Sequence, residues 1–474
     1  MSKRVTVVDA PPQESSLPAS EIQIYVNNPF TADHQPQDLG ERRGTLIGTY
    51  MSCCCTVVGA GILGLPAAIA SVGYVSGAIL FVVGAGASQV GNHFIAKTCD
   101  KVGGDQTSFS SCAAKINPWF AFVVNLLVWF LMFFVGILYA GTAADFLVDA
   151  AAYINPTAHA NNEWYVGRTF LLTLVWGGLS APLCFPRKMT ILQYTSTASS
   201  VFVIYTLVLV VYYAFQPRSV VCESFLARNN ATCVDDRCCL ESGECCIGEV
   251  VAFNGTFLTF LQSLAILATS FCCAVQIFLF YNDLQNPTVK RLNTATGSAM
   301  LTCAVLYTII SFGGYFTFGD AISSDLLSGY PLSLDVTICR IGIAFLVAVS
   351  YPLVMVPCRD ESIFLVGFLT IRLFGIDITD PTTKRGNITY YVALITVLVT
   401  TYGVALAGLD MGTILNIVGS ISTCNISFTI PSIFYWVYYK DDGLTFMRLL
   451  CIPVGILGLS IMLFNIVTMG LGIS

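Results

Sequence analysis

Long apolar segments recur along this chain from Leu46 to its C-terminus, separated by short polar stretches. The hydrocarbon core of a bilayer is about 30 Å thick, so a helix needs about 20 mostly apolar residues to cross it. The apolar segments have this length and are therefore predicted to be transmembrane helices. Eleven are predicted, at residues 46–71, 74–97, 118–142, 167–185, 191–215, 253–281, 295–318, 334–357, 388–409, 412–438 and 449–471.

The segment before Leu46 has a different pattern. Five prolines lie among Ser, Gln, Asp and Asn residues, with no helical apolar period. Such a segment buries too little apolar surface to fold, so residues 1–45 are predicted to be a disordered cytosolic tail. It lacks the basic start, apolar stretch and cleavage site of a signal peptide. Residues 46–474 are predicted to form one transmembrane domain.

Composition and charge agree with the helix pattern. Apolar residues make up 55% of the chain and charged residues 11%, less than half of the roughly 25% typical of soluble domains. Lys and Arg are retained on the cytosolic side of membrane proteins. With the N-terminus inside and the C-terminus outside or lumenal, seventeen of the 22 Lys and Arg residues fall on cytosolic segments, including Arg359. The exceptions are Arg168, Arg218, Arg228 and Arg237 outside, and Arg340 within a helix.

The loop between the fifth and sixth helices, residues 216–250, is rich in cysteine and is predicted to lie outside. An even number of cysteines in a short segment of an oxidising compartment favours disulfides, and a zinc site is the alternative. Six cysteines allow fifteen pairings, and the sequence does not choose among them. Asn230 and Asn254 are candidate N-glycosylation sites. The candidate disulfide cysteines are Cys222, Cys233, Cys238, Cys239, Cys245 and Cys246.

The first predicted helix contains a glycine-rich segment that ends at Pro66. The segment satisfies the Gly-x-Gly-x-x-Gly pattern, but a dinucleotide site also needs a preceding strand and a βαβ unit. Inside a membrane, three glycines and a proline weaken the helix and leave backbone groups without intrahelical partners. Freed N–H groups would face an anion such as a substrate carboxylate, and close helix packing is the alternative. The candidate substrate-binding residues here are Gly59, Ala60, Gly61, Ile62, Leu63 and Gly64.

This segment closely resembles the first helix of the amino acid/auxin permease family, within the amino acid/polyamine/organocation superfamily. The resemblance extends over about residues 46 to 470 and is carried by several segments in the order that the family shows. They are Val58–Pro66, Tyr281–Thr288 after the sixth helix, Gly314–Gly319 ending the seventh, Pro352–Pro357 with Arg359 in the eighth, and Val418–Ser420 with Ile430–Pro431 in the tenth.

The resemblance implies an all-α integral membrane protein with eleven transmembrane helices. Helices one to five and six to ten would form an inverted repeat, with helices one and six broken at the substrate site and one extra helix. It implies a secondary transporter that moves amino acids by alternating access. The segment at the second break has no glycine or proline, and only its small polar side chains indicate unwinding. The candidate substrate-binding residues there are Thr269, Ser270 and Cys273.

One residue that differs from the family pattern bears on which ion drives transport. Sodium-coupled neutral amino acid members carry an asparagine where this chain has Cys55, and a thiol is a poor ligand for a hard cation. Ser350 retains the hydroxyl that the family supplies in helix eight. We therefore expect drive by protons or by the membrane potential, with sodium-coupled neutral amino acid symport as the alternative. The candidate ion-coupling residues are Cys55, Val58 and Ser350.

The predicted outer face is acidic, which slightly favours cationic substrates such as arginine or lysine. The plasma membrane is the first expectation for location, and a vacuolar or lysosomal membrane is the alternative. A nutrient receptor on a transporter fold is a second functional class. An intramembrane enzyme needs a nucleophile with its base or a metal cluster, and only His93 of three histidines lies in a predicted span. No enzyme, cofactor, metal site or nucleic-acid partner is predicted, and the expected partners are the amino acid and the lipid bilayer.

Overall fold

Helices occupy all eleven predicted positions. The computed structural model describes residues 44–103, 107–185, 190–228, 238–239, 245–379 and 383–471. Most of the candidate tail therefore lies outside the described residues. The helices are α1a (Leu46–Val57), α1b (Leu65–Ala70), α2 (Tyr74–Val102), α3 (Pro118–Ile154), α4 (Arg168–Val175), α5 (Thr190–Ala214), α6a (Phe257–Ser270), α6b (Ala274–Asp283), α7 (Val289–Phe318), α8 (Leu334–Phe374), α9 (Lys384–Leu406), α10 (Met411–Val418, continuing through two π-helical turns to Ile430–Tyr438) and α11 (Phe446–Leu471).

Most of these helices are long enough to cross a bilayer. Within the described residues, eight helices have the necessary length and apolar character, and the bent pair that forms α1 is a ninth. The two remaining positions hold α4 and α5. α4 is short because it continues as a π-helical turn over Trp176–Ser180 and a 3-10 turn over Pro182–Cys184. Such turns change the hydrogen-bond pattern without ending the helical path.

The two longest helices, α3 and α8, pack along each other. The sequence predicted that the eighth helix ends at residue 357, which is wrong, whereas the placement of Arg359 on the cytosolic side stays a prediction. α8 continues through Pro357 to Phe374, and Arg359 is 3% exposed. Its Nη2 donates to Asp360 Oδ1 at 2.6 Å, and its guanidinium lies 4.1 Å from the centre of the Tyr390 ring. Pairing with a carboxylate and an aromatic face allows this charge to be buried.

A short β-type pairing ties α1a to α6b at one end of the bundle. We call this the Leu46 end, because α1a begins there. Gly44 N–H donates to Asp283 O at 3.0 Å, and Gln285 N–H donates to Gly44 O at 2.8 Å. The segment after the sixth helix that carries the family resemblance therefore joins the starting point of the first helix.

A loop covers the opposite end of the bundle, which we call the Ser71 end because α1b terminates there. We call residues 322–333, between α7 and α8, the lid. Arg340 of α8 is almost completely buried beneath it, and its Nη2 donates to Leu327 O at 2.7 Å and to Tyr330 O at 3.1 Å. A charged side chain thus holds the lid through its backbone.

The cysteine-rich loop lies at the Ser71 end as well. The Sγ atoms of Cys222 and Cys246 lie 2.01 Å apart, and those of Cys239 and Cys245 lie 1.96 Å apart, which is bonding distance. Cys238 is buried in the same loop. Cys233 and Asn230 lie outside the described residues, and disulfide formation and glycosylation stay predictions.

Asn254, the second glycosylation candidate, already has a structural partner. Its Nδ2 donates to Ala70 O at the end of α1b at 3.3 Å, and its N–H donates to Val72 O at 2.8 Å. A glycan would be attached at that same Nδ2 atom. The hydrogen bonds give this asparagine a role in holding the end of α1b.

Candidate substrate site at two helix breaks

The predicted break in the first helix is present. α1a ends at Val57, and α1b begins at Leu65 after a 3-10 turn, with a bend of 55° between the two halves. Gly59 is extended, with φ −142° and ψ −165°. Gly64 N–H bonds back only three residues, to Gly61 O at 3.3 Å. Glycines permit this backbone path, and Pro66 supplies no N–H to restore an α-helical bond across it.

The sixth helix is also broken, although its sequence contains no glycine or proline at that point. α6a ends at Ser270, and α6b begins at Ala274. Cys272 N–H bonds back only three residues, to Thr269 O at 3.2 Å. The hydroxyls of Thr269 and Ser270 donate to carbonyls four residues earlier, at 3.0 and 3.1 Å. These side chains therefore compete with the backbone ladder where the helix ends.

The two breaks meet at Ser270. Its hydroxyl donates to Gly61 O at 3.2 Å. A Cβ atom at Gly61 would lie 2.9 Å from Ser270 Oγ, and one at Gly64 would lie 2.6 Å from Leu415 Cδ1. Both glycines thus serve close packing, which was the alternative interpretation of the motif. Their role in carboxylate binding stays a prediction.

Gly59 has a different environment, because it faces a hydroxyl. Among the described residues other than its chain neighbours, the one heavy atom within 4 Å of an added Cβ is Tyr139 Oη of α3, at 3.3 Å. A tyrosine hydroxyl beside extended backbone supplies donors of the kind that bind a carboxylate. Tyr139 is not among the site residues predicted from the sequence. The sequence does contain a feature that marks this residue, since Tyr139 is the single tyrosine of the predicted third helix.

A second tyrosine that is absent from the predicted site lies behind the breaks. Tyr307 of α7 is fully buried, and its hydroxyl donates to Val57 O at 2.6 Å and to Ser270 O at 3.2 Å. The ring of Phe271, within the α6 break, lies 5.1 Å away between centroids. One side chain therefore contacts the last carbonyl of α1a and the last carbonyl of α6a.

The other predicted residues of the second break face elsewhere. Thr269 Oγ1 donates to Thr423 Oγ1 of α10 at 3.5 Å. Cys273 is fully buried, with its Sγ 3.9 Å from Cys53 Sγ and 3.4 Å from Asn92 Nδ2. Of the three candidates, Ser270 is the one that the structure brings to the first break.

The candidate ion-coupling residues lie on two helices. Cys55 and Val58 belong to α1, whose first half packs mainly on α7, whereas Ser350 belongs to α8, which packs mainly on α3. Val58 N–H bonds to Cys54 O at 2.9 Å within the α1a turn. Ser350 is half-buried. An ion site between them stays a prediction.

Similarity to known proteins extends over nearly the whole chain. Residues 42–473 match the protein family described as transmembrane amino acid transporter protein. The chain is 25% identical over 428 residues to vacuolar amino acid transporter 6 of Saccharomyces cerevisiae, covering 83% of this chain and 89% of that one. It is 24% identical over 338 residues to sodium-coupled neutral amino acid symporter 2 of Danio rerio, covering 66% of this chain and 62% of that one.

The fold is similar to that of a solved structure. MhsT in complex with L-phenylalanine superimposes with a TM-score of 0.53 at 11% identity, covering 89% of this chain and 98% of that one. This likeness concerns the fold, and it agrees with an inverted repeat in which the first and sixth helices are broken.

Proposed function

Because this chain belongs to the family of transmembrane amino acid transporter proteins, we propose that it is a secondary transporter that moves amino acids by alternating access between the two sides of a membrane. The observation that carries the proposal is the contact between two broken helices, in which Ser270 Oγ donates to Gly61 O at 3.2 Å. Breaks of this kind expose backbone donors and acceptors that an amino acid's own carboxylate and ammonium groups match.

The groups near the first break favour recognition of the amino acid backbone. Tyr139 Oη and the extended backbone at Gly59 supply donors for the carboxylate. The preference for cationic side chains rests on the acidic outer surface alone. Asp145 there is engaged by Arg168 at 2.6 Å, and Asp410 accepts from Thr413 N–H at 3.0 Å. We therefore propose that the protein recognises the carboxylate and ammonium groups common to α-amino acids more than the charge of the side chain.

For the driving force we propose protons or the membrane potential. Replacing an amide oxygen by the Cys55 thiol removes a hard ligand from the expected sodium site. Sodium-coupled symport is the second candidate, since a relative of that name is 24% identical to this chain. For location we propose a vacuolar or lysosomal membrane, supported by the relative named as a vacuolar transporter. The plasma membrane stays the other prediction.

The test is uptake by purified protein in sealed liposomes. Twenty labelled amino acids would be offered singly, with choline or sodium outside and with an imposed pH gradient or potential. We expect saturable uptake in choline that falls when the gradient or potential is collapsed. Binding without flux would support a receptor instead, and flux that requires sodium in proportion to its concentration would support the second candidate.

A further inference from the structure

The ends of the two broken helices present carbonyl oxygens to each other across Tyr307. Val57 O is the last carbonyl of α1a, and Ser270 O is the last carbonyl of α6a. In a bilayer each such group needs a partner, which is a donor or a cation. In other transporters with broken helices, freed carbonyls of this kind hold the coupling ion.

Here a phenol hydroxyl takes that position. Tyr307 Oη lies 2.6 Å from Val57 O and 3.2 Å from Ser270 O, and it directs its single proton at two acceptors. The ring is fully buried and lies 5.1 Å from the Phe271 ring, so the hydroxyl is held in place from α7. Three helices thus meet at one oxygen atom, and its hydrogen-bond partners among the described residues are both neutral carbonyls.

We propose that the Tyr307 hydroxyl replaces a coupling cation at the junction of the two broken helices, so that Tyr307 is a positioning residue for the substrate site. The hydroxyl offsets the repulsion between the two carbonyl oxygens. The two helix breaks can then keep their substrate-binding geometry when no sodium is bound. The inference rests on the proposed transport function and deepens it, because it names a residue that accounts for independence of sodium.

Removing the hydroxyl should create a need for a cation. Tyr307→Phe keeps the ring but leaves both carbonyls without their donor, and Tyr307→Ser also leaves room for a hydrated ion. We expect uptake in choline to fall by about tenfold or more in both variants, as for loss of a buried hydrogen-bond partner. Sodium or lithium should restore uptake in at least one of them and should leave the wild type unchanged.

A second buried tyrosine of the same helix is the matched control. Tyr315 is also fully buried, but its hydroxyl accepts from Val251 N–H at 2.9 Å, away from the junction. Tyr315→Phe removes the same atom from α7 and should show no stimulation by sodium or lithium. A general loss of packing would affect both positions alike, whereas cation replacement predicts salt dependence at Tyr307 alone.

Wild-type uptake in liposomes is measured first, so failure of the transport proposal is seen separately from failure of this inference. Thermal unfolding of the detergent-solubilised proteins in sodium or choline chloride gives a readout without transport, and only the Tyr307 variants should be stabilised by sodium. Three results would overturn the inference: full uptake by Tyr307→Phe in choline, loss of uptake in every salt, or failure of both variants to fold.

Discussion

At the residue scale, Gly61 determines how closely the two breaks approach. A side chain there would meet Ser270 Oγ at 2.9 Å and Ser270 Cα at 3.4 Å. The hydroxyl could rotate, and the Cα atom would then be in van der Waals contact with the added Cβ. A methyl group would fit only if the Ser270 hydroxyl rotated away, and a larger side chain would have to displace the backbone of α6.

We predict that Gly61→Val lowers uptake by more than about tenfold while the protein still reaches the membrane, since overpacking of this kind typically costs 1–3 kcal/mol. Uptake and surface level would be measured together. Gly86→Val is the control, because an added Cβ at Gly86 meets no atom of the described residues within 4 Å. Normal uptake by Gly61→Val would refute the assignment.

A double variant separates packing from other causes. Ser270→Ala removes the atom that an alanine at Gly61 would meet most closely. If the contact is responsible, the loss in Gly61→Ala should be partly recovered when both changes are combined, a departure from additivity that a double-mutant cycle measures. Additive losses would place the cause elsewhere.

At the element scale, alternating access requires the broken helices to move relative to each other. Cys53 of α1a and Cys273 at the α6 break are fully buried, with sulfur atoms 3.9 Å apart. This is farther than a disulfide but close enough for small motions to join them. The pair offers a way to fix α1a against α6.

Oxidation of the purified transporter with copper phenanthroline should join Cys53 to Cys273 and stop uptake, and dithiothreitol should restore it. The cross-linked peptide would be identified by mass spectrometry, and flux would be measured in liposomes before and after reduction. Cys53→Ser should be insensitive to the oxidant. Full flux in the cross-linked protein would mean that transport does not need this movement.

The lid is the element at which pH should act. Burial raises the pKa of Asp325 to about 7, Asp149 adds to the rise, and Ser328, Leu327 N–H and Arg340 oppose it. Asp325 Oδ1 accepts from Leu327 N–H at 3.2 Å within the lid. If the lid opens, this carboxyl returns towards its ordinary pKa, so closing the lid takes up a proton.

We therefore predict that the closed lid loses stability as pH rises from about 4 to about 7 and changes little above that. Asp325→Asn should remove this dependence by keeping the side chain neutral. Amide hydrogen exchange at Leu327 and Ser328, corrected for the intrinsic rate at each pH, would measure it. Asp320→Asn is the control at a nearby carboxylate, and equal pH profiles in all three proteins would contradict the prediction.

At the scale of the whole molecule, the distribution of charge predicts which side each end faces. The positive-inside rule places the Leu46 end in the cytosol and the Cys222 to Cys246 loop outside or in a lumen. In sealed vesicles with the cytosolic side outward, an impermeant thiol reagent after mild reduction should label this loop only once detergent is added. Labelling without detergent would show that the loop lies on the cytosolic side, which contradicts the predicted topology.

The sequence by itself determined the positions of eleven helices and the first break. Crossing length is a property of consecutive apolar residues, and the glycines and Pro66 that weaken α1 lie next to each other in the chain. Both features are local in the sequence, so they can be recognised without knowing which helices pack together. The family resemblance depended on similarly short segments.

Only the tertiary structure decided how the site is assembled. The α6 break contains no glycine or proline. Arg359 can be buried because Asp360 and Tyr390 accept hydrogen bonds from its guanidinium group. Tyr307 lies 250 residues from Val57, so no local pattern links them. Contacts between distant segments exist only once the helices pack, which is why a buried hydroxyl between two helix ends could not be predicted from the sequence.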